Sequence, residues 1–478
     1  MRNQSVSTTL LASAGVAFTL PTFAQQEPNV LIIYMDDMGY SDISCYGQQK
    51  WHTPNIDRLG QEGIRFTAAY SASAVSSPSR AALLTGRYPS RMGIKDVFFP
   101  ESYTGIPESE VLISELLKEK GYATGVIGKW HLGHRDKYLP LQRGFDEYFG
   151  IPYSNDMTAQ VYLRGNEVEE FHIDQSQMVK RYTHETIDFI NRHQDQPFFL
   201  YLAHNMMHVP VFCSEEFRGR SGHGLYGDTV LEIDWSVGRI IDTLEEKGLL
   251  ENTLVVFSSD NGPWLQEGPL GGEADPWREG KGTSFEGGVR VPYLVYWKGK
   301  IQPAVREDIV TTMDLFPTIA ELCGLDVPAG LRIDGYSLTE LLLKGGKRVS
   351  DQYAYFRDNT VATGLRAGDW KITLPEGQIY GNFWRASTAA HDTLLFNLRE
   401  DPEEQINLYY KYPEKASEMA EALSTYKKEF GEIPPPLVVG FNDQLRELHQ
   451  QREEAIEEAK QRGITSKAQQ IDGFTNAE

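Results

Sequence analysis

The chain has 478 residues, of which 40% are hydrophobic and 24% are charged. This length and composition exclude a disordered protein and predict one large domain with a smaller one. The formal net charge of −21 disfavours nucleic acid and anionic membranes as partners, so an anionic ligand would need a locally cationic pocket. Cys45, Cys213 and Cys323 are too irregularly spaced for a disulfide framework, and we expect buried thiols.

The first 24 residues have the pattern of a secretory signal peptide. Arg2 is their only charge, an apolar run extends from Leu10 to Leu20, and Thr22 to Ala24 precedes Gln25 as a cleavage site. We therefore expect a signal peptide at residues 1–24 and a periplasmic or secreted protein. The apolar run is too short to span a bilayer, and no later run is long enough, so we expect no membrane association.

Three continuous apolar runs predict strands that are buried on both faces of a largely parallel sheet. They are residues 29–34, 198–203 and 254–258. Polar side chains follow each run directly: Asp36 and Asp37 after the first, His204 after the second, and Asp260 and Asn261 after the third. Because sites gather at the carboxyl ends of parallel strands, these side chains are candidates for one common site.

Helical patterns lie between and around the predicted strands, at residues 108–119, 179–192 and 228–247. Strands that alternate with helices predict an α/β domain over residues 25–345, with a large mixed, mostly parallel sheet between helices.

The pattern changes after residue 345. Short strand-like pieces at 364–374 and 394–398 predict a small C-terminal α+β domain over residues 346–440, with a short antiparallel sheet. Residues 441–478 are expected to form a charged helix, at about 443–462, and a tail.

The segment from Ser76 to Gly86 reads Ser-Ser-Pro-Ser-Arg-Ala-Ala-Leu-Leu-Thr-Gly. Pro78 suits the first turn of a helix, and the Ala and Leu residues favour its continuation. Free amides at the helix N-terminus, together with Arg80, would stabilise negative charge beside Ser76. A plain alternative is an ordinary helix with Ser76 or Ser77 as its N-cap.

Asp36 and Asp37 are adjacent, and their like charges repel. A hard cation would offset that repulsion, and Asp260 and Asn261 add two more oxygen donors. The all-oxygen set suits Ca²⁺, whereas the plain alternative is a pair of turn caps.

Three further segments carry basic side chains. Lys129 and His131 lie two residues apart, which places them on one side of an extended segment. His208 lies four residues after His204, and Lys281 lies in the glycine-rich loop 280–288. Taken singly, such a histidine is often structural and such a lysine is often in a solvated turn.

In order along the chain, these segments resemble the motifs of formylglycine-dependent sulfatases of the alkaline phosphatase superfamily. The resemblance covers about residues 28 to 345, more loosely to 440, and includes Pro78, Ser79, Arg80, Leu84, Thr85 and Gly86 of the signature. It implies an alkaline-phosphatase-like sandwich fold and hydrolysis of sulfate esters. It also implies an aldehyde nucleophile at position 76, installed by a formylglycine-generating maturase.

The resemblance gives the candidate residues their roles. Asp36, Asp37, Asp260 and Asn261 would bind Ca²⁺, Arg80 and Lys129 would hold the nucleophile and the sulfate, His131 would take a proton from the hydrated aldehyde, and Lys281 with His208 would bind sulfate and assist the leaving alcohol. Cleavage builds negative charge on the bridging oxygen, so fixed cations and a nearby acid are the groups that it needs.

Position 76 is serine, whereas most of the family has cysteine. Three explanations stay open: a natural serine-type enzyme, a Cys-to-Ser variant that traps substrate, and a protein that binds sulfated ligands without turnover. The alternative enzyme is a phosphomonoesterase or phosphonate hydrolase. The lack of histidine in the proposed metal set disfavours the two-zinc phosphatases.

Polar and aromatic residues beside the motifs are candidates for substrate contacts: His134, Arg135, Arg143, His204, Trp264, Trp277 and Arg278. Aromatic faces stack on sugars and arginines pair with sulfates, so the predicted partner is a sulfated polysaccharide or oligosaccharide. The resemblance to exported bacterial sulfatases suggests an algal galactan such as carrageenan. Trp264 and Trp277 could equally be packing residues.

Overall fold

The computed structural model describes residues 27–157, 160–375 and 392–437. The predicted signal peptide and the predicted helix near residues 443–462 lie outside these ranges. Over the described ranges, no helix combines the length and the apolarity that crossing a membrane requires.

A ten-stranded sheet forms the centre of the molecule. Its strands are β1 (Asn29–Met35), β2 (Ile64–Tyr70), β3 (Ala123–Gly128), β4 (Glu147–Gly150), β5 (Val161–Arg164), β6 (Glu167–Phe171), β7 (Phe198–Ala203), β8 (Thr253–Ser259), β9 (Tyr293–Tyr296) and β10 (Ala304–Thr311). They are ordered β10-β2-β9-β8-β1-β7-β3-β4-β5-β6. Neighbouring strands pair in parallel throughout the central run β8-β1-β7-β3-β4. Strand β9 pairs antiparallel with β8 and β2, and strand β5 pairs antiparallel with β4 and β6.

Helices cover both faces of this sheet. The α-helices of the described residues are α1 (Pro54–Gln61), α2 (Ser76–Thr85), α3 (Ile113–Lys120), α4 (Met178–Arg192), α5 (Leu225–Glu246), α6 (Glu286–Val289), α7 (Leu315–Leu322), α8 (Thr339–Lys344) and α9 (Pro413–Phe430). One apolar core joins α2, α3 and α7 to one face, and a second joins α1, α4 and α5 to the other. The strands β1, β7 and β8 are buried along their whole length, as expected for strands covered on both faces.

A four-stranded antiparallel sheet follows in the order β11 (Gln352–Arg357), β12 (Val361–Ala367), β13 (Trp370–Thr373) and β14 (Leu394–Asn397). The predicted α/β fold with a short C-terminal antiparallel sheet is therefore confirmed. The three cysteines are free thiols, with Cys213 and Cys323 buried and Cys45 partly buried.

Two element predictions need correction. The helix predicted over residues 108–119 begins only at Ile113, because the Glu115 carboxylate accepts the Leu112 amide and caps the helix there. The piece predicted over 364–374 is a hairpin rather than one strand. It turns at Gly368, whose φ of 56° suits a residue without a side chain.

Candidate active site

Four neighbouring parallel strands bring the predicted site residues to one edge of the sheet. Asp36 and Asp37 follow β1, Asp260 and Asn261 follow β8, His208 lies in the loop after β7, and Lys129 and His131 follow β3. All of these side chains are buried. Residues from four distant parts of the sequence therefore share one compact site.

The acidic cluster has the geometry of a cation site. One carboxylate oxygen from each of Asp36, Asp37 and Asp260 lies within 4.8 Å of the others. The Asn261 amide nitrogen donates to Asp37 over 2.7 Å, which leaves its buried Oδ1 without a hydrogen-bond partner among the described residues. A buried amide oxygen beside three carboxylates is a donor set that fits a hard cation such as Ca²⁺.

Ser76 is the first residue of α2, and its side chain does not cap the helix. The N-cap residue is Val75, so the alternative of a serine cap is wrong. The Ser76 hydroxyl instead donates to Asp36 over 3.1 Å and accepts from Lys129 over 3.3 Å. The hydroxyl is thus held at the margin of the acidic cluster.

Arg80 and Lys129 form ion pairs with two carboxylates of the acidic cluster. Two guanidinium nitrogens of Arg80 contact Asp260 at 2.8 and 3.1 Å, and one lies 3.6 Å from Asp36. The Lys129 ammonium contacts the second oxygen of Asp36. Ser76 therefore lies next to one buried cation, Lys129, and contacts the same carboxylate, Asp36, as a second one, Arg80.

The segment that carries Lys129 and His131 is not extended, contrary to prediction. Gly128 and His131 have φ values of 112° and 57°. A Cβ at Gly128 would lie 1.8 Å from the carbonyl oxygen of Ala203, so only glycine allows this turn. The turn directs the chain from β3 into the site.

Burial and the neighbouring charges set the protonation of the site. Burial raises the pKa of Asp36, but Lys129 and Arg80 outweigh burial and the net shift is downward. Burial and the charge of Asp36 raise the pKa of Asp260. Burial lowers the pKa of Lys129 despite the attraction of Asp36. The carboxylates are crowded, and a bound cation would relieve their mutual repulsion.

The two histidines differ in their environment. Burial, Lys129 and Arg80 hold the pKa of His131 well below its usual value, so its ring is neutral. Its Nε2 contacts the carbonyl oxygen of Phe98 at 2.8 Å, and its Nδ1 has no hydrogen-bond partner in the described ranges. The His208 Nδ1 lies 2.6 Å from the Val209 carbonyl oxygen, which leaves Nε2 directed to Asp37 at 3.7 Å.

Lys281 lies at the opposite side of the cluster. Its ammonium contacts Asp37 at 2.8 Å and lies 4.6 Å from the ring centre of Trp264. Trp264 also packs against His208, with ring centres 5.5 Å apart. Of the predicted substrate residues, Trp264 is thus the one that contacts two predicted catalytic residues.

The other predicted substrate residues are engaged elsewhere. His204 is buried against Tyr182. Arg143 is also buried, and its guanidinium donates hydrogen bonds to the Glu115 carboxylate and to three backbone carbonyl oxygens. Arg278 donates to the Glu404 carbonyl oxygen over 2.8 Å. These contacts give no support to a direct role in sugar binding.

Three more of these residues pack on aromatic rings. His134 is buried against Tyr153, and Arg135 lies 4.4 Å from the ring centre of Tyr103. Trp277 packs edge-to-face against Tyr40, with ring centres 5.3 Å apart, and lies under the guanidinium of Arg290 at 3.6 Å, in agreement with the packing alternative.

The structure adds residues that sequence reasoning missed. Ser154 lies 3.3 Å from the Lys129 ammonium, and the Asp156 carboxylate lies 4.0 Å from Nδ1 of His208. The Asp156 side chain is 38% exposed, so it lies where the site meets solvent. Neither residue stands in a motif, and only the position of the loop after β4 reveals them.

Comparison with known families decides the identity. The sulfatase family model matches residues 28–325. This chain belongs to the sulfatase family. A second family model, that of the N-sulphoglucosamine sulphohydrolase C-terminal region, matches residues 280–429. The activity of this sulfatase is thus hydrolysis of sulfuric esters, and the family resemblance of the sequence is confirmed.

Individual relatives agree with this assignment. N-acetylgalactosamine-6-sulfatase of Canis lupus familiaris is 41% identical over 403 residues, which cover 78% of this chain and 74% of the relative. Human arylsulfatase A is 37% identical and covers 84% of this chain and 85% of its own length. Among solved structures, Ps i-CgsB in complex with k-i-k-neocarrahexaose is 27% identical, with a TM-score of 0.75 over 90% of this chain and 99% of its own. The neighbours of this sulfatase therefore share its overall architecture.

Proposed function

We propose that this sulfatase hydrolyses sulfate esters of a sulfated polysaccharide or oligosaccharide, with residue 76 as a formylglycine nucleophile and Ca²⁺ in the acidic cluster. One observation carries the proposal. The Ser76 hydroxyl lies 3.1 Å from Asp36, a member of the acidic cluster, and 3.3 Å from the Lys129 ammonium. A nucleophile at this position meets both a metal-binding carboxylate and a sulfate-binding cation.

The aldehyde would supply a hydrate with two hydroxyl groups, one to attack sulfur and one to expel sulfate afterwards. An unmodified serine lacks the second hydroxyl. The neutral His131, whose Nδ1 has no partner in the described ranges, would accept a proton during expulsion. A maturase that oxidises position 76 is the partner that this chemistry needs.

Asp36, Asp37, Asp260 and Asn261 would hold Ca²⁺, which would supply positive charge beside the nucleophile and the sulfate oxygens. The three carboxylates of this set are balanced by Arg80, Lys129 and Lys281 in the structure. A divalent cation would therefore give the site a surplus of two positive charges. That surplus favours an anionic substrate despite the negative charge of the whole protein.

The leaving alcohol needs a proton donor. His208 presents Nε2 toward the acidic cluster, and its Nδ1 is fixed on the Val209 carbonyl oxygen. We assign His208 as the acid that protonates the sugar oxygen, with Lys281 as the cation on the sulfate.

Two of the comparisons support a galactose-based glycan as the substrate. One relative is named for N-acetylgalactosamine-6-sulfate, and one structural neighbour was solved with a neocarrahexaose. Trp264 contacts both Lys281 and His208 and is 7% exposed, so we propose that its exposed part meets the sugar beside the sulfate. We propose a carrageenan-like galactan, with the enzyme acting in the periplasm or outside the cell.

The substrate assignment is tested by comparing kcat/KM on sulfated carrageenan oligosaccharides, on 4-nitrophenyl sulfate and on 4-nitrophenyl phosphate. We expect kcat/KM on the oligosaccharides to exceed kcat/KM on the aryl sulfate by at least about 10-fold, because contacts with the sugar add binding energy. Equal values on the two sulfates would remove the glycan assignment. Preference for the phosphate would favour the phosphomonoesterase alternative.

A further inference from the structure

The loop that carries Lys281 is held by the C-terminal part of the chain. Lys281 lies in the middle of residues 278–286, which run from Arg278 to the start of α6 at Glu286. Near the centre of the loop, the Lys281 amide donates to the Pro263 carbonyl oxygen and the Gly282 amide to the Ala74 carbonyl oxygen. Further anchors come from β13 and from the segment that follows β14, and Glu286 at the end of the loop is also held by residues of both sheets.

Lys371 of β13 is the central cation of these anchors. It is fully buried, and its ammonium donates to the Ser284 carbonyl oxygen over 2.8 Å. It also contacts the carboxylates of Glu286 at 3.1 Å and Glu404 at 2.7 Å. One side chain of the small sheet thus binds the loop three residues after Lys281.

Glu404 joins both ends of the same loop. Its carbonyl oxygen accepts from Arg278 over 2.8 Å, and its carboxylate accepts the Glu286 amide over 2.7 Å. Glu404 is fully buried and has a φ of 53°, in the left-handed region that residues with a side chain rarely adopt. Such a conformation persists only where the surroundings impose it.

The Glu286 carboxylate completes the network. It accepts from the hydroxyl groups of Tyr70 at 2.5 Å and Tyr355 at 2.6 Å, and it pairs with Arg290 at 3.2 Å. Tyr70 belongs to the large sheet and Tyr355 to the small one, so this carboxylate ties the two sheets together. Lys371 and Arg290 hold the pKa of Glu286 well below its usual value despite burial, which keeps it ionised.

We propose that Lys371 and Glu404 are positioning residues that fix the Lys281 ammonium in the sulfate site. The inference rests on the proposed role of Lys281 as a sulfate ligand. Removing one partner from a buried ion network leaves its counter-ions unpaired, which is strongly destabilising. We expect the loop to shift so that these charges find other partners or water. A displacement of about 1 Å in a positioned group can lower a rate about 100-fold.

The test compares Lys371→Met, Glu404→Gln and Glu404→Ala with the wild type in the full-length, aldehyde-containing enzyme. Glu404→Gln keeps an acceptor for the Glu286 amide, so we expect its inhibition constant for inorganic sulfate to stay within about 2-fold of the wild type. Glu404→Ala removes that acceptor and should weaken sulfate binding by about 10-fold. For Lys371→Met we expect sulfate to bind at least about 10-fold more weakly, with a matching loss of kcat/KM. Activities are normalised to folded protein and to aldehyde content.

A matched control separates positioning from stability. Arg348 is another buried cation of the C-terminal part. It pairs with Asp314 at 2.8 Å, and its hydrogen bonds go to Asp314, Ser350 and Gln352, which lie outside the Lys281 loop. We expect Arg348→Met to lower the melting temperature without changing sulfate affinity. If Lys371→Met fails to fold, Tyr355→Phe removes a single hydroxyl from Glu286 and should weaken sulfate binding by about 5-fold or more.

The same panel contains Lys281→Met, which separates the two proposals. If Lys281→Met weakens sulfate binding while Lys371→Met, Glu404→Ala and Tyr355→Phe leave it unchanged, as Arg348→Met should, the positioning role is wrong and the role of Lys281 stands. If Lys281→Met leaves sulfate binding unchanged, the sulfate-ligand role of Lys281 is wrong, and the positioning role falls with it.

Discussion

The Lys281 ammonium lies 2.8 Å from the Asp37 carboxylate, although 244 residues separate them in the sequence. One belongs to the proposed sulfate ligands and the other to the proposed calcium ligands. The two subsites therefore share a direct ionic contact, and a change in one should alter the ligand affinity of the other.

Lys281→Met should act on the two ligands in opposite directions. The Lys281 ammonium competes with calcium for the Asp37 carboxylate, so its removal should raise calcium affinity by about 3-fold or more. Sulfate affinity should fall by about 10-fold or more, because a fixed cation is lost. Titration calorimetry with each ion measures both. Calcium binding that weakens in this variant would contradict the shared contact.

Asp260→Ala should release the calcium. Asp260 contributes a carboxylate oxygen to the cluster and pairs with Arg80, so its loss removes both a ligand and a counter-charge. We expect sulfate release to fall by about 100- to 1000-fold. Metal analysis of the purified protein is the measurement, with Asp42→Asn as a control that removes a buried carboxylate outside the cluster. Stoichiometric calcium in Asp260→Ala would refute the ligand assignment.

His208→Asn should depend on the leaving group. A sugar alkoxide needs a proton, so activity on a carrageenan oligosaccharide should fall by about 100-fold or more. A 4-nitrophenolate leaves without protonation, so activity on the aryl sulfate should fall by less than about 10-fold. Parallel kcat measurements on the two substrates decide the matter. An equal loss on both would argue against His208 as the acid.

Asp42 should give the protein a pH-dependent stability. Burial raises the pKa of Asp42 to about 7 in the folded protein, compared with about 3.9 in an unfolded chain. Between these values the folded state holds the extra proton, so the free energy of unfolding falls as the pH rises from about 4 to about 7.

Asp42→Asn should abolish this contribution. Denaturant unfolding of both proteins at pH 4.5 and pH 7 measures it, with the wild type losing stability relative to the variant at the higher pH. A difference that does not change with pH would contradict the assignment.

The sequence predicted those parts of the molecule that local patterns encode. The apolar runs before Asp36, His204 and Asp260 identify buried parallel strands, and the order of strands then gathers the polar residues at one edge. The segment after Val75 predicted a helix that begins at Ser76. Motif resemblance added the family, which the comparisons confirmed.

The remainder depends on contacts between distant segments. Arg143 and Arg278 looked like substrate ligands beside the motifs, yet both hold backbone carbonyl groups. Asp156 and Lys371 stand in no motif, and only the packing of the loop after β4 and of the small sheet places them near the site. Their roles follow from tertiary contacts that no local pattern records.

The central claim is that residue 76 must become an aldehyde for turnover. Mass spectrometry of the tryptic peptide Phe66–Arg80, with fragmentation to separate Ser76 from Ser77, measures its state: the aldehyde is about 2 Da lighter than serine. Protein made with and without a serine-oxidising maturase provides a range of aldehyde contents. We predict that sulfate release is proportional to the aldehyde fraction and that unmodified protein binds substrate without sustained turnover. Multiple turnovers by protein whose residue 76 is wholly serine would contradict the account.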